Sequence, residues 1–243
     1  MMRFNDWLEI DTAMVLFAHP DDAEWTCGGT VAKWVAEGVE VLYVLVTNGG
    51  SGAFTKDMTR ERLSEIRYVE QQEAADVLGV KEVIHLGFED GYLYPDLELR
   101  KAVARVVRQR KPDVLISHDP TARTVANFYL NHPDHIAVGE VAMRAVNPDA
   151  SSGLMFPELW HEEDLAPHLP KALFLGSFLE GTDYVDITDT IDKKMEALLK
   201  HRCQIEDPAG LEEWARARFG EIGASQGVGA AEAFRVFRLD EGP

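Results

Sequence analysis

Two short segments of this chain concentrate residues that bind metals and move protons. One reads His19-Pro20-Asp21-Asp22-Ala23-Glu24 and the other Asn131-His132-Pro133-Asp134-His135. One neutral imidazole from each segment plus one carboxylate is the three-ligand set of a catalytic zinc site, which keeps a fourth position open for water. His19 and Asp22 stand three residues apart. At a strand-to-helix turn that spacing lets both side chains converge on one point. His132 and His135 have the same spacing, which suits the first turn of a helix; one can bind the metal while the other faces a substrate. Asp21 adjoins a ligand without competing for its direction, as a base acting on the attacking water must. Asp134 is placed to hold an imidazole in its productive tautomer. Such a set hydrolyses amides. Zinc lowers the pKa of its water towards about 7 and polarises the carbonyl. Asp21 takes a proton as the water attacks, and a His132 imidazolium stabilises the oxyanion. A proton finally reaches the leaving amine, most simply from Asp21. Two histidines and one carboxylate also match the ligand set of iron(II) enzymes.

These side chains need a scaffold, and the apolar runs supply one. Thr12 to Ala18 is a short run of the kind buried on both faces of a parallel sheet. A helix opens at Cys27-Gly28-Gly29-Thr30 and stops at Gly38. Strands are expected at 39–47, 82–88 and 113–117, and helices at 60–78, capped by Gly79, and 97–109. The alternation predicts a mostly parallel sheet with right-handed crossovers and helices on both faces. A fifth strand is expected at 172–176 and an edge strand at 184–187. A helix follows at 189–201 with Asp189 as N-cap, then a helical tail at 211–219. Residues 220–229 read as loop and 233–239 as a last strand. One domain is expected over 1–243, with a core at about 12–180 and a C-terminal elaboration at about 181–243. Open α/β sheets bind ligands beyond the carboxyl ends of their strands. That selects the loops 19–29, 48–58, 88–96 and 118–135, which hold both histidine segments.

Composition removes several classes of function. The 243 residues carry a formal charge of −18, which repels phosphate backbones and anionic membrane surfaces. Nucleic acid is therefore excluded as a partner. Cys27 and Cys203 form no CxxC pair, so a disulfide framework and a thiolate-rich zinc site are both excluded. No signal peptide or membrane-spanning run is visible, so a cytoplasmic protein is expected. A homo-oligomer remains open. No GxGxxG follows the first strand, and two carboxylates stand where a nucleotide phosphate would sit.

The pattern resembles the LmbE-like, PIG-L-type family of zinc-dependent N-deacetylases. The resemblance rests on AHPDDAE at 18–24, CGGT at 27–30 and HPDH at 132–135. Supporting it are Arg67–Gly79, LGFxDG at 86–91, Lys194 with His201 and Gln204, and AEAF at 231–234. It implies a Rossmann-like three-layer fold. It also implies zinc ligation by His19, Asp22 and His135, Asp21 as general base and His132 as oxyanion stabiliser. Family substrates are N-acetylglucosamine conjugates: bacillithiol and mycothiol intermediates, chitin-derived sugars and the glycosylphosphatidylinositol precursor. The lack of a membrane segment argues against the last. Two departures stand out. Some members place a tyrosine where this chain has Leu130, with Tyr129 beside it. Many read H-x-S-Q where this chain has His201-Arg202-Cys203-Gln204. The nearest rivals are an amidase of the same family acting on a thiol-cofactor conjugate and a two-metal hydrolase.

Sugars are held by aromatic faces and by polar groups that match hydroxyls. Trp25, Tyr92, Tyr94, Phe128 and Tyr129 lie in or beside the selected loops. Asn48 ends the second strand and could bond a hydroxyl. Arg67 is either a substrate contact or part of a solvated helix face. Arg123 could meet an anionic aglycone. His85 reads as a core residue, His118 as a neighbour of the metal ligands, and His161 and His168 as surface.

Overall fold

The run Thr12–Phe17 forms β1 near the middle of a seven-stranded sheet. The computed structural model describes residues 8–53, 55–125, 129–177 and 181–239. Its elements in chain order are β1 (Thr12–Phe17), α1 (Asp22–Ala36), β2 (Glu40–Thr47), α2 (Arg60–Leu78), β3 (Glu82–Phe88), α3 (Leu97–Arg110) and β4 (Val114–His118). A two-stranded hairpin follows, β5 (Thr124–Val125) and β6 (Tyr129–Leu130), then α4 (Pro133–Arg144) and α5 (Pro157–His161). The chain continues through β7 (Ala172–Ser177), β8 (Asp183–Asp186), α6 (Ile191–Leu198), α7 (Pro208–Gln226) and β9 (Ala231–Arg238). The strand order is β3-β2-β1-β4-β7-β9-β8. β3, β2, β1, β4 and β7 run parallel, and β9 is antiparallel to both of its neighbours.

Alternation along β1 divides the interior into two layers. Ala13, Val15 and Phe17 enter one core with residues of α1, α2, α6 and α7. Met14, Leu16 and Ala18 enter the other with residues of α3 and α4. Successive side chains of a strand point to opposite faces, so helices cover the sheet on both sides and the fold is a three-layer α/β one. β2 leads outward from β1 on one side and β4 continues on the other, so the strand order reverses between β1 and β4. The crevice at their carboxyl ends is where an α/β sheet takes its ligand.

The bounds of three helices differ most from those expected. α1 begins at Asp22 and is bent at Cys27, whose φ is −140°. At the bend the Glu24 and Trp25 carbonyls accept Lys194 Nζ at 2.9 and 2.7 Å. Just beyond it the Gly29 and Thr30 amides donate to Glu232 at 2.9 and 2.8 Å. A buried carboxylate at amides that lack helical partners is a strong cap. The sequence signal at 27–30 is therefore the start of the second helical segment. α6 starts at Ile191 with Thr190 as its N-cap, not Asp189. α7 runs through Gly220 and Gly223 to Gln226, where a loop was expected, and ends at Gly227 with φ 74°. A Cβ on Gly223 would lie 2.6 Å from the Ala230 Cα, so this glycine allows helix and strand to touch. β8 lies at the sheet edge as expected, but β9 is inserted between β7 and β8.

Lys194 and Glu232 are both fully buried and lie 2.6 Å apart. Truncating one partner of a buried, hydrogen-bonded pair leaves the other charge uncompensated. Glu232→Ala is expected to cost about 3–5 kcal/mol of folding stability, read as a fall in the urea midpoint. A midpoint within experimental error of wild type would mean that the pair does not hold the bend. Among the described residues, no helix is long and apolar enough to cross a membrane.

Candidate metal centre

β1 ends two residues before His19, and the chain turns there into α1. Asp21, the N-cap of α1, has φ 93°, a left-handed conformation that few residues other than glycine adopt. Outside groups hold it. The Asp21 amide donates to Gln71 Oε1 at 3.1 Å, and Arg67 donates to the Pro20 carbonyl and to Asp21 Oδ2. Arg67 is buried in α2 and also donates to the Gly49 carbonyl at 3.0 Å. Its guanidinium thus clamps two loops and the Asp21 carboxylate, and the solvated alternative is ruled out.

The turn brings His19 and Asp22 together, and α4 supplies His135. His19 Nδ1 lies 3.3 Å from Asp22 Oδ2 and 3.1 Å from His135 Nε2, and His135 Nε2 lies 3.1 Å from Asp22 Oδ1. Metal–ligand bonds of about 2.0–2.1 Å in a tetrahedron put ligand atoms about 3.3–3.4 Å apart, close to the spacing found. The two imidazole nitrogens and the Asp22 carboxylate, which meets each of them through a different oxygen, are thus spaced to hold a small divalent ion.

Outer partners fix each lone pair inward. His19 Nε2 meets Asp90 Oδ1 at 3.2 Å and Asp134 Oδ2 at 3.3 Å, which places its proton there and leaves Nδ1 as the donor atom for a metal. His135 Nδ1 lies 3.0 Å from Asn131 Oδ1, so Nε2 carries the lone pair facing Asp22. Asp22 Oδ2 accepts the His19 amide at 2.8 Å. His118, the last residue of β4, stacks on His135 with ring centroids 4.1 Å apart and comes within 3.3 Å of Asp22 Oδ2. It buttresses both ligands.

Burial and neighbouring charge set the protonation of these groups. Burial alone would lower His19, but hydrogen bonds to Asp134, Asp22 and Asp90 raise it well above the usual imidazole range. Asp22 resists its own burial because His135 and His118 hold it well below the usual carboxylate range. Burial raises Asp21, against the opposing charge of Arg67. Burial drives His118 down to about 3, with the His135 charge adding to the effect. Asp90 falls to about 2 despite burial, through its bonds to His19 and to the Ser51 amide.

His132 is the N-cap of α4, and its Nδ1 accepts the Asp134 amide at 3.2 Å. Burial and the His19 charge lower its pKa. An imidazolium would place a proton on the nitrogen that must accept the cap bond. His132 is therefore corrected from imidazolium to a neutral ring whose Nε2 carries the hydrogen. Among the described residues, three overlapping groups approach ligating distances: His19 with His132 and His135, Asp22 with His118 and His135, and His19 with Asp90, His132 and Asp134. Only the last leaves out both Asp22 and His135. Its carboxylates are already engaged: Asp134 accepts the Gly91 and Leu93 amides at 2.7 and 3.2 Å, and Asp90 accepts the Ser51 amide at 2.8 Å. These bonds account for the cluster without a second ion.

The triad opens into a cleft of about 710 Å³ that Asp21, Arg67, Asp90, His118, Asn131 and His132 also line. Asn48 and Tyr92 are not brought into it. Asn48 Oδ1 accepts the Gly50 amide at 3.1 Å and steadies the glycine loop. Tyr92 is exposed beneath Arg60, whose guanidinium carbon lies 5.3 Å from the ring centre. Tyr94 is exposed as well. Tyr129 begins β6, but its side chain lies outside the described residues, as does Phe128. Trp25 does line the cleft, in edge contact with Trp214 at 5.8 Å. Arg123 is exposed beside Glu140, away from the lining. His85 stacks on Tyr68 at the sheet edge, so it is not a core residue. His161 is exposed, and His168 bonds the Pro112 carbonyl at 2.8 Å.

Sequence reasoning assigned no role to Asn131 or Asp90, although both stand inside quoted motifs. It also missed Trp214 and Arg218, which α7 carries to the cleft from a segment with no motif.

Comparison with known proteins agrees with this geometry. Diacetylchitobiose deacetylase of Thermococcus kodakarensis is 30% identical over 204 residues, 83% of this chain and 72% of that protein. A probable N-acetyl-α-D-glucosaminyl L-malate deacetylase 2 of Bacillus anthracis is 28% identical over 201 residues, 79% of this chain and 80% of that one. The structure of N,N'-diacetylchitobiose deacetylase from Pyrococcus horikoshii superposes with a TM-score of 0.88 at 29% identity, covering 97% of this chain and 86% of the other. The family described as PIG-L, GlcNAc-PI de-N-acetylase, matches residues 14–146, which span β1 to the end of α4 and contain both histidine segments. With more than half of its length matched and its site assembled from those segments, this chain belongs to the PIG-L family.

Proposed function

We propose that this protein removes the N-acetyl group from an N-acetylglucosamine-type conjugate, with zinc held by His19, Asp22 and His135. The observation that carries the proposal is the convergence of His19 Nδ1, Asp22 and His135 Nε2 within 3.1–3.3 Å of one another. They stand at the floor of an open cleft, with Asp21 beside them. The names of the relatives, diacetylchitobiose deacetylase and a glucosaminyl malate deacetylase, agree with it. Two imidazoles and one carboxylate with an open position suit zinc, and iron(II) is the second choice.

When bound, such an ion supplies a water of lowered pKa and polarises the amide carbonyl. Asp21 takes the proton released as the water attacks. Its raised pKa keeps that proton available for the leaving amine. His132 offers its Nε2–H to the carbonyl oxygen as negative charge develops there. Asp134 and Asp90 receive the His19 Nε2–H and hold that ring in register.

The test is acetate release from a panel of N-acetylglucosamine conjugates after chelation and metal add-back. Zinc-restored release from at least one conjugate is expected. No acetate from any of them, with metal bound at about one per chain, would sink the deacetylase and point to an amidase with a larger acyl group.

A further inference from the structure

The first histidine segment ends in Glu24, a carboxylate with no part in the proposed reaction. Asp21-Asp22-Ala23-Glu24 has the spacing of a capping box. In such a box the N-cap side chain accepts the N3 amide, and the N3 glutamate reaches back to the N-cap amide. Here the box is open. Asp21 makes no side-chain cap bond, and its φ of 93° replaces the extended conformation usual at an N-cap. Its amide donates instead to Gln71 Oε1 at 3.1 Å, and Gln71 Nε2 donates to Glu24 Oε1 at 3.0 Å. A glutamine of α2 thus stands between the two ends of the box. The other Glu24 oxygen, Oε2, lies 3.1 Å from His201 Nε2, just past α6. Glu24, Gln71 and His201 are all fully buried.

This row of polar groups fits in one direction only. The Asp21 amide is a donor, so Gln71 must turn its oxygen to it and its NH2 to Glu24. The Glu24 carboxylate then takes that hydrogen on one oxygen and the His201 Nε2 hydrogen on the other. Burial would lower His201, but its bond to Glu24 raises it.

We infer that Glu24, acting through Gln71, is a positioning residue for the base. The inference rests on the role proposed for Asp21. In a closed box the Asp21 carboxylate would turn to its own helix. With Gln71 on the amide, the carboxylate is left to Arg67 and to the cleft that it lines. Arg67 and Gln71 are four residues apart on α2 and share a face. One helix therefore grips Asp21 twice, at the side chain through Arg67 and at the backbone through Gln71. A strained backbone persists only where its surroundings over-determine it, and Gln71 bonds the strained residue's own amide.

The experiment measures kcat, KM and metal content in Gln71→Met, alone and combined with Asp21→Asn, and solves the crystal structure of Gln71→Met. Methionine keeps the length of glutamine and removes both bonds. Alone it should lower kcat about 10–10²-fold, with KM and metal within about twofold of wild type. On Asp21→Asn it should lower kcat by less than about twofold more, because a residue that acts through the base has nothing left to position. Equal losses in the two backgrounds would mean support of the fold alone and overturn the inference. An exchange of the two partners is the second check. Gln71→Glu sets two carboxylates face to face and should lose as much kcat as Gln71→Met. Adding Glu24→Gln puts a donor back between the two positions, keeps both outer bonds and should recover most of kcat. Absence of that recovery also overturns the inference. If wild type releases acetate from no conjugate, the deacetylase reading fails and the crystal structure decides the positioning. Asp21 at negative φ, with its carboxylate on the Glu24 amide, supports it. An unchanged Asp21, held by Arg67 alone, overturns it.

Discussion

Asp21→Asn is expected to lower kcat by about 10²–10⁴-fold and to leave the metal in place. The size follows from what is removed. An amide cannot take the proton of the attacking water, and among the described residues the carboxylates nearest the triad are engaged elsewhere. Asp22 faces three imidazoles, while Asp90 and Asp134 are bonded to backbone amides and to His19. The substitution is also structurally mild. Asparagine tolerates the left-handed conformation better than most residues, and Asp21 sits at φ 93°. The bond from its amide to Gln71 does not depend on the side chain, and an asparagine oxygen can still accept from Arg67. Acetate release and metal content are measured together. Normal metal with wild-type turnover would move the base elsewhere.

His135→Ala is expected to abolish metal retention. His135 supplies one of three protein ligands, and its Nε2 lies 3.1 Å from each of the other two ligand atoms. Loss of a mere outer partner weakens metal binding roughly 10–100-fold, so loss of a ligand should exceed that. Metal per chain after gel filtration, measured by inductively coupled plasma spectrometry, should fall from about one to near zero. Full loading of this variant would overturn the assignment. The variant should stay folded, because only the N-terminal turn of α4 changes and Val138, Val141 and Ala142 remain in the core.

The sheet and most helices were legible because their signals are local. Arg60–Leu78 with Gly79 behind it and Glu82–Phe88 match the expected bounds, since an apolar stripe, a left-handed stop and a β-rich run need no tertiary context. α7 was cut short because glycine within a helix usually signals an end. Gly223 is there instead for its contact with Ala230, the residue just before β9, a strand that pairs only in the folded sheet. At the site, spacing brought out the ligands, since HPDD and HPDH each carry their own turn. The protonation of His132 was not legible, because the amide that Nδ1 accepts appears only once the ring becomes a helix cap. Trp214 and Arg218 were illegible for a different reason. An aromatic and an arginine on a helix have many possible uses, and only the docking of α7 beside α1 gives them one.

The bend in α1 has a consequence for how the protein is made. The three ligand atoms all come from residues 19–135, yet the helix that starts at Asp22 is pinned at its bend by Lys194 and Glu232. Glu232 lies in β9, which enters the sheet between β7 and β8. During synthesis the ribosome therefore releases the whole ligand set about a hundred residues before the strand that secures it. In that interval the turn at Asp21 already has its Arg67 and Gln71 contacts within reach, while the bend of α1 still lacks Lys194 and Glu232. The helix that carries Asp22 is then set in its final course only when β9 slides into its slot.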